Sequence, residues 1–179
     1  MMASLIDRMV RASKLDINLY EEVEADKSSM GQAITVVVLS SVASGIGTIG
    51  ILGIQGLFIG TISALIGWFV WAYLTYLIGT KLLPEPQTKA DVGELLRTIG
   101  FSSAPGVLRI FGFIPLIGAI VTFVAGIWML VAMIIAVRQA LDYKSTWRAI
   151  GVCAIGFVIY LVIIAVIFSV LGLPAGFSG

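Results

Sequence analysis

The chain has 179 residues, 59% of them apolar and 12% charged, with a net charge of +1. Soluble domains run about 45–50% apolar and about 25% charged, so a mean hydropathy of +1.08 excludes a soluble globular fold, and the near-neutral charge offers nothing to nucleic acid. The sequence has no histidine, which removes the usual ligand of zinc and haem and the usual general base near neutral pH, and its single cysteine, Cys153, cannot form a disulfide within the chain.

Residues 3–15 have the period of an amphipathic helix, with Leu5, Ile6, Met9 and Val10 on one face and Asp7, Arg8, Arg11 and Lys14 on the other. Such a helix either lies in the headgroup plane with its cations toward lipid phosphates or packs on the protein's own polar loops. It lacks the continuous apolar run of a signal peptide. An acidic segment follows over residues 16–29, holding Tyr20, Glu21, Glu22, Glu24 and Asp26. Ser29 and Gln32, three apart before an apolar run, predict a capping box.

The first span is expected over roughly 31–54, long enough to cross about 30 Å of hydrocarbon, followed by a turn near Gln55 and a second span over roughly 57–80. Gly56, Gly60 and Ala64 recur every four residues, a spacing that lets helix backbones approach closely. They are candidate packing residues between the first two spans, and a homo-oligomer through the same face stays open. Pro84 and Pro86 end the second helix, and Asp91 and Glu94 suit the start of another.

Residues 95–113 are apolar but carry Arg97, Pro105 and Arg109, so they form either a broken third span or a re-entrant segment. Charge decides between them. Ten of the eleven Lys and Arg residues fall in three stretches, 1–29, 80–98 and 138–148. All three stretches can face the cytoplasm only if 95–113 crosses. The fold class is therefore an all-α polytopic bundle of five spans, the third broken or kinked, with an amphipathic interfacial helix at its N-terminus. The fourth span is expected over roughly 115–137 and the fifth over roughly 149–171. The parts are a cytoplasmic segment 1–30, a five-helix membrane domain 31–173 and a short tail 174–179. The N-terminus is expected in the cytoplasm and the C-terminus outside the cell membrane.

Four of the five spans hold no Asp, Glu, Lys or Arg away from their ends. Ion-coupled carriers keep such groups at membrane depth, so their lack turns the expectation from transport toward binding. No catalytic, cofactor-binding or metal-ligating residue is expected. The candidate contacts with a partner or lipid are Arg109, Arg97, Tyr20, Glu21, Glu22, Arg138, Asp142 and Arg148. Arg109 is the cation out of place, and it either binds an anionic group or anchors at the outer interface. Arg138 and Asp142, four apart, are placed to pair on one helical face.

Four stretches, LYEEVEAD at 19–26, LLRTIGFSSAPGVLRI at 95–110, IWMLVAMIIAVRQALDY at 127–143 and TWRAIGV at 146–152, together resemble the prokaryotic members of the Yip (Ypt-interacting protein) family over residues 5–171. The resemblance implies five transmembrane helices, a cytoplasmic N-terminus and an outside C-terminus. Eukaryotic members act in vesicle trafficking and engage prenylated Rab-type GTPases, and they carry an Asp-Leu-Tyr-Gly-Pro motif before the first span. Here Leu19, Tyr20, Glu21 and Glu22 stand in that region without the Gly-Pro, so GTPase binding is not carried over. The expected function is that of an integral membrane scaffold or accessory protein, binding lipids and one or more protein partners in a membrane complex. The alternative is a small transporter, channel or lipid flippase built on the broken third span.

Overall fold

The computed structural model describes residues 4–170, so the expected tail 174–179 lies outside the described residues. These residues fold entirely into helices and connecting turns. Helices α1 (Leu5–Ser13) and α2 (Ile17–Ala25) form a hairpin. The Ser4 side chain caps α1 by accepting from Asp7 N, and that of Asp16 caps α2 by accepting from Asn18 N.

The hairpin takes the second of the two expected placements, packed on the protein's own polar segment, with an inward stripe of Leu5, Arg8, Met9 and Ala12 that draws on both expected faces. Arg8 is 4% exposed, whereas Ile6 on the supposed apolar face is 74% exposed. The cause is α2. Arg8 donates to Glu22 and Asp26 at 2.9 and 2.8 Å and to Gln32 at 2.9 Å, and Arg11 donates to Asp16 and Glu22. A buried guanidinium needs its charge met nearby, so the arginines turn inward rather than toward headgroups. Leu5 and Met9 still pack against a core of Leu19, Tyr20, Val23, Val36 and Phe101.

Helix α3 (Met30–Gly47) starts at Ser29 without a side-chain cap. The expected capping box does not form, because Ser29 Oγ donates to Val23 O and Gln32 is engaged by Arg8. The helix also stops short of the expected residue 54. Glycines are poor helix formers, and Thr48 ends the run with its Oγ1 donating to Ser44 O. Helix α4 (Ile49–Leu77) is bent at Gly53, whose φ of 63° suits glycine. Gln55 therefore lies inside α4, and a π turn at Ile78–Leu82 closes it before Pro84.

The next segment is in two pieces. Helix α5 (Val92–Ser102) opens with a full capping box, Asp91 with Glu94. Pro105 then lacks the donor needed to continue it, and a 3-10 helix runs over Ala104–Phe113. This pair follows α3 along its length. An added Cβ on Gly100 would lie 2.9 Å from Ala33 Cβ, and Gly106 abuts Ser40. Gly47, at the end of α3, abuts the Arg109 carbonyl so closely that any Cβ there would overlap it. After a turn containing Leu116 at φ 69°, α6 (Gly118–Ala140) runs back and α7 (Thr146–Val170) follows.

Among the described residues, four helical stretches are long and apolar enough to cross a membrane: Lys27–Gly47, Gly53–Leu82, Gly118–Ala140 and Thr146–Ile163. Fully buried side chains gather at one end of the bundle. There Ile78, Leu95, Val137, Leu141 and Val152 form one core beside the hairpin's own. At the other end α4, α6 and α7 present exposed apolar side chains such as Ile59, Ile120 and Val162. Because lipid tails are as apolar as these side chains, nothing forces that end to close.

Candidate functional site

The splayed end encloses a pocket of about 710 Å³. Its walls come from α3, α4, the α5–3-10 pair, α6 and α7, and Arg109 lines it. The backbone of Arg109 is fixed by the close approach of its carbonyl to Gly47. Its guanidinium has room beside α6, where an added Cβ on Gly126 would sit 3.5 Å from Nη2. Arg109 Nε is buried and makes no hydrogen bond among the described residues. Trp71 Nε1, on the facing helix, is likewise buried without a partner. The indoles of Trp68 and Trp128, by contrast, donate to the carbonyls of Leu96 and Ser13. The Trp71 ring is held edge-on against Tyr160, 6.1 Å away at 74°.

The pocket's hydroxyls divide into two groups. Ser41, Thr48 and Ser102 donate to carbonyls of their own helices. Ser40, Ser44, Ser103 and Tyr160 line the same space with no such bond among the described residues. Gly56, Gly60 and Ala64, expected as packing residues, form part of the α4 wall. An added Cβ on Gly60 would meet nothing within 4 Å, so at that position the stripe leaves open space.

Most of the other candidate contacts lie at the polar end and are engaged within the protein. Tyr20 is fully buried. Glu22 is shared by Arg8 and Arg11, and Glu21 accepts from Gln139. Arg97, 4% exposed, donates to the carbonyls of Val23 and Glu24, which ties the end of α2 to α5 and places a cation at a helix C-terminus. Arg148 donates to Pro84 O and pairs with Glu85 at 3.4 Å.

Arg138 makes no ion pair with Asp142 among the described residues. It donates instead to Tyr143 O and Lys144 O. The reason is that α6 ends at Ala140 and Asp142 sits at φ 53°, off the helical face. The Tyr143 hydroxyl lies 3.0 and 2.7 Å from the carbonyls of Gly79 and Leu83, and burial pushes it up to about 12. Glu24 is the strained acid of this end. Burial, then Asp142, Glu21 and Glu94, push it up to about 8, with Arg97 opposing.

A family model described as the Yip1 domain matches residues 19–167. The chain belongs to the Yip1 domain family. The match runs from α2 into α7, so the Yip1 domain includes the whole pocket wall and both cores apart from the α1 side chains Leu5, Met9 and Ala12. With its apolar helices, the Yip1 domain makes this an integral membrane protein. No curated protein and no solved structure gives a match.

Within the Yip1 domain the polar pocket residues of α3 and its C-cap are the ones that sequence reasoning missed. Ser40, Ser44 and Thr48 stand four apart and therefore share one helical face. That spacing was the available signal. Trp71 does not stand out in the sequence, because what its indole meets depends on how α4 and α7 pack.

Proposed function

We propose that this Yip1-domain protein acts by binding, as a membrane scaffold or accessory subunit, and performs no chemistry of its own. The observation that carries this reading is the pocket's composition: among the described residues its lining holds a guanidinium, indoles and hydroxyls, but no carboxylate, thiol or imidazole. The serines and Tyr160 of the lining would need such a group beside them as an activating base, and ion-coupled carriers need one at membrane depth. Binding needs none of them.

We also infer five crossings, with the N-terminus in the cytoplasm and the C-terminus outside the cell membrane. Support comes from the register of α5 and the 3-10 helix beside α3, from Gly100 at Ala33 to Arg109 at Gly47. The two pieces, of 11 and 10 residues, extend about 16 and about 20 Å, together enough for about 30 Å of hydrocarbon. Membrane lipid and a protein partner are the ligands of this reading, and a homo-oligomer remains compatible with it.

The pocket itself favours a second reading, a lipid flippase or small transporter, because a cavity among splayed helices is also a substrate route. Reconstitution into sealed vesicles separates the two. Vesicles holding only this protein should show no lipid or solute flux above protein-free controls; reproducible flux would overturn the binding reading.

A further inference from the structure

We propose that the pocket binds an anionic membrane lipid, with the headgroup phosphate on Arg109 and an acyl chain along the α4 groove at Gly56, Gly60 and Ala64. This rests on the binding reading and names its ligand.

Charge is the first reason. Arg109 is the cation of the pocket wall, its Nε is buried and unpartnered, and no carboxylate lines the space around it. A guanidinium in a largely apolar wall, with its Nε shut off from water, favours a ligand that brings a counter-charge and acceptors. Among the described residues no side chain supplies either to Arg109 Nε, and a ligand would supply both. A phosphate presents several acceptor oxygens that match the planar fork of arginine. Trp71 Nε1 and the hydroxyls of Ser40, Ser44 and Ser103 are further donors lining the same pocket from other walls.

The rest of the wall selects the kind of anion. Beyond those donors, the self-bonded hydroxyls of Ser41, Thr48 and Ser102 and the phenol of Tyr160, it is glycine, alanine, aliphatic, methionine and aromatic surface, a poor match for a free hydrated ion and a good one for a hydrocarbon chain. The volume falls within the roughly 300–1,000 Å³ of ligand pockets. Access is lateral. Helix α4 scarcely touches α6, and pocket residues Gly60, Leu130 and Phe157 are exposed, so the gap opens where lipid tails lie. At Gly60 an added side chain would meet no protein atom within 4 Å, which leaves that space for a chain from the bilayer. A zwitterionic lipid also carries a phosphate, but its ammonium leaves the arginine charge uncompensated.

The test uses the full chain in nanodiscs of equal phosphatidylglycerol and phosphatidylcholine, with retained lipid read by native mass spectrometry. The wild type should hold one phosphatidylglycerol, with a preference of about tenfold, the ratio carried by one charge-assisted hydrogen bond. Arg109→Gln should lose that preference and Arg109→Lys should keep part of it. Gly60→Leu should weaken retention of either lipid by filling the groove.

Millimolar inorganic phosphate should leave the preference intact; displacement of the lipid by phosphate would mark a small-anion site and overturn the proposal. An unchanged preference in Arg109→Gln would also overturn it. Where that variant fails to fold, brominated-chain lipids report on the native protein. Brominated phosphatidylglycerol should quench the fluorescence contribution removed by Trp71→Phe more than brominated phosphatidylcholine does, and equal quenching would sink the proposal. Loss of the lipid preference without vesicle flux removes the lipid alone and leaves the binding reading, whereas flux removes the binding reading.

Discussion

Replacing Arg8 with alanine leaves Glu22 and Asp26 facing each other without their shared cation and leaves Gln32 Oε1 without its donor. Removing one member of a buried ionic network costs about 3–5 kcal/mol. Both carboxylates here keep some solvent, so Arg8→Ala should cost about 2–3 kcal/mol, roughly 5–10 °C in Tm in detergent. The pH response of the same end has two limbs. The hydrogen bond from Arg11 holds Asp16 low, and those from Ser28 and Arg8 hold Asp26 low, relative to their ordinary 3.8. Burial alone would raise Glu22, but hydrogen bonds from Arg11 and Arg8 outweigh it and hold it below 4.5. Groups depressed in the folded state stabilise above their unfolded values and lose that contribution as pH falls through the folded ones. Stability should therefore fall in acid.

Glu24 works in the opposite direction. Raised from 4.5 to about 8, it binds its proton more tightly in the folded state, so its contribution is complete below its unfolded value and lost as pH rises through the folded one. Asp142, Glu21 and Glu94 face it with like charge and Arg97 opposes them. Tm measured from pH 5 to 9 should decline in the wild type and decline less in Glu24→Gln; parallel curves would remove Glu24 from the account.

At the scale of elements, α5 and the 3-10 helix are held in place by their neighbour. Gly47→Val should force α3 away from the Arg109 carbonyl, at an overpacking cost of about 1–3 kcal/mol. Gly31→Ala, where an added Cβ meets nothing within 4 Å, should cost nothing by the same thermal measurement. Hydrophobic runs, the proline stops and the break at Pro105 were legible because each acts within a few residues of its cause. The capping box at Ser29 misled because Arg8 lies 24 residues from Gln32 along the chain. The helical period at 3–15 marks a helix, but the carboxylates of α2 rotate its inward stripe to Leu5, Arg8, Met9 and Ala12, across the boundary between the two expected faces. The stripe at Gly56, Gly60 and Ala64 was legible as spacing; what stands opposite it depends on where α6 and α7 lie.

For the whole molecule, charge segregation and the register beside α3 point the same way, to a broken segment that crosses and brings Arg109 to the far half of the bundle. The pocket was not legible in the sequence, since its five walls come from residues spread between Val37 and Tyr160. The crossing is the claim on which the pocket's place in the bilayer depends. Cysteine accessibility tests it most directly. In a Cys153→Ala background, Lys89→Cys before α5 and Leu116→Cys after the 3-10 helix put thiols at exposed positions, Leu116 being 93% exposed. Membrane-impermeant maleimide applied to intact cells should label Leu116→Cys at once and Lys89→Cys only after the membrane is opened; labelling of both from the same side would show that residues 92–113 do not cross.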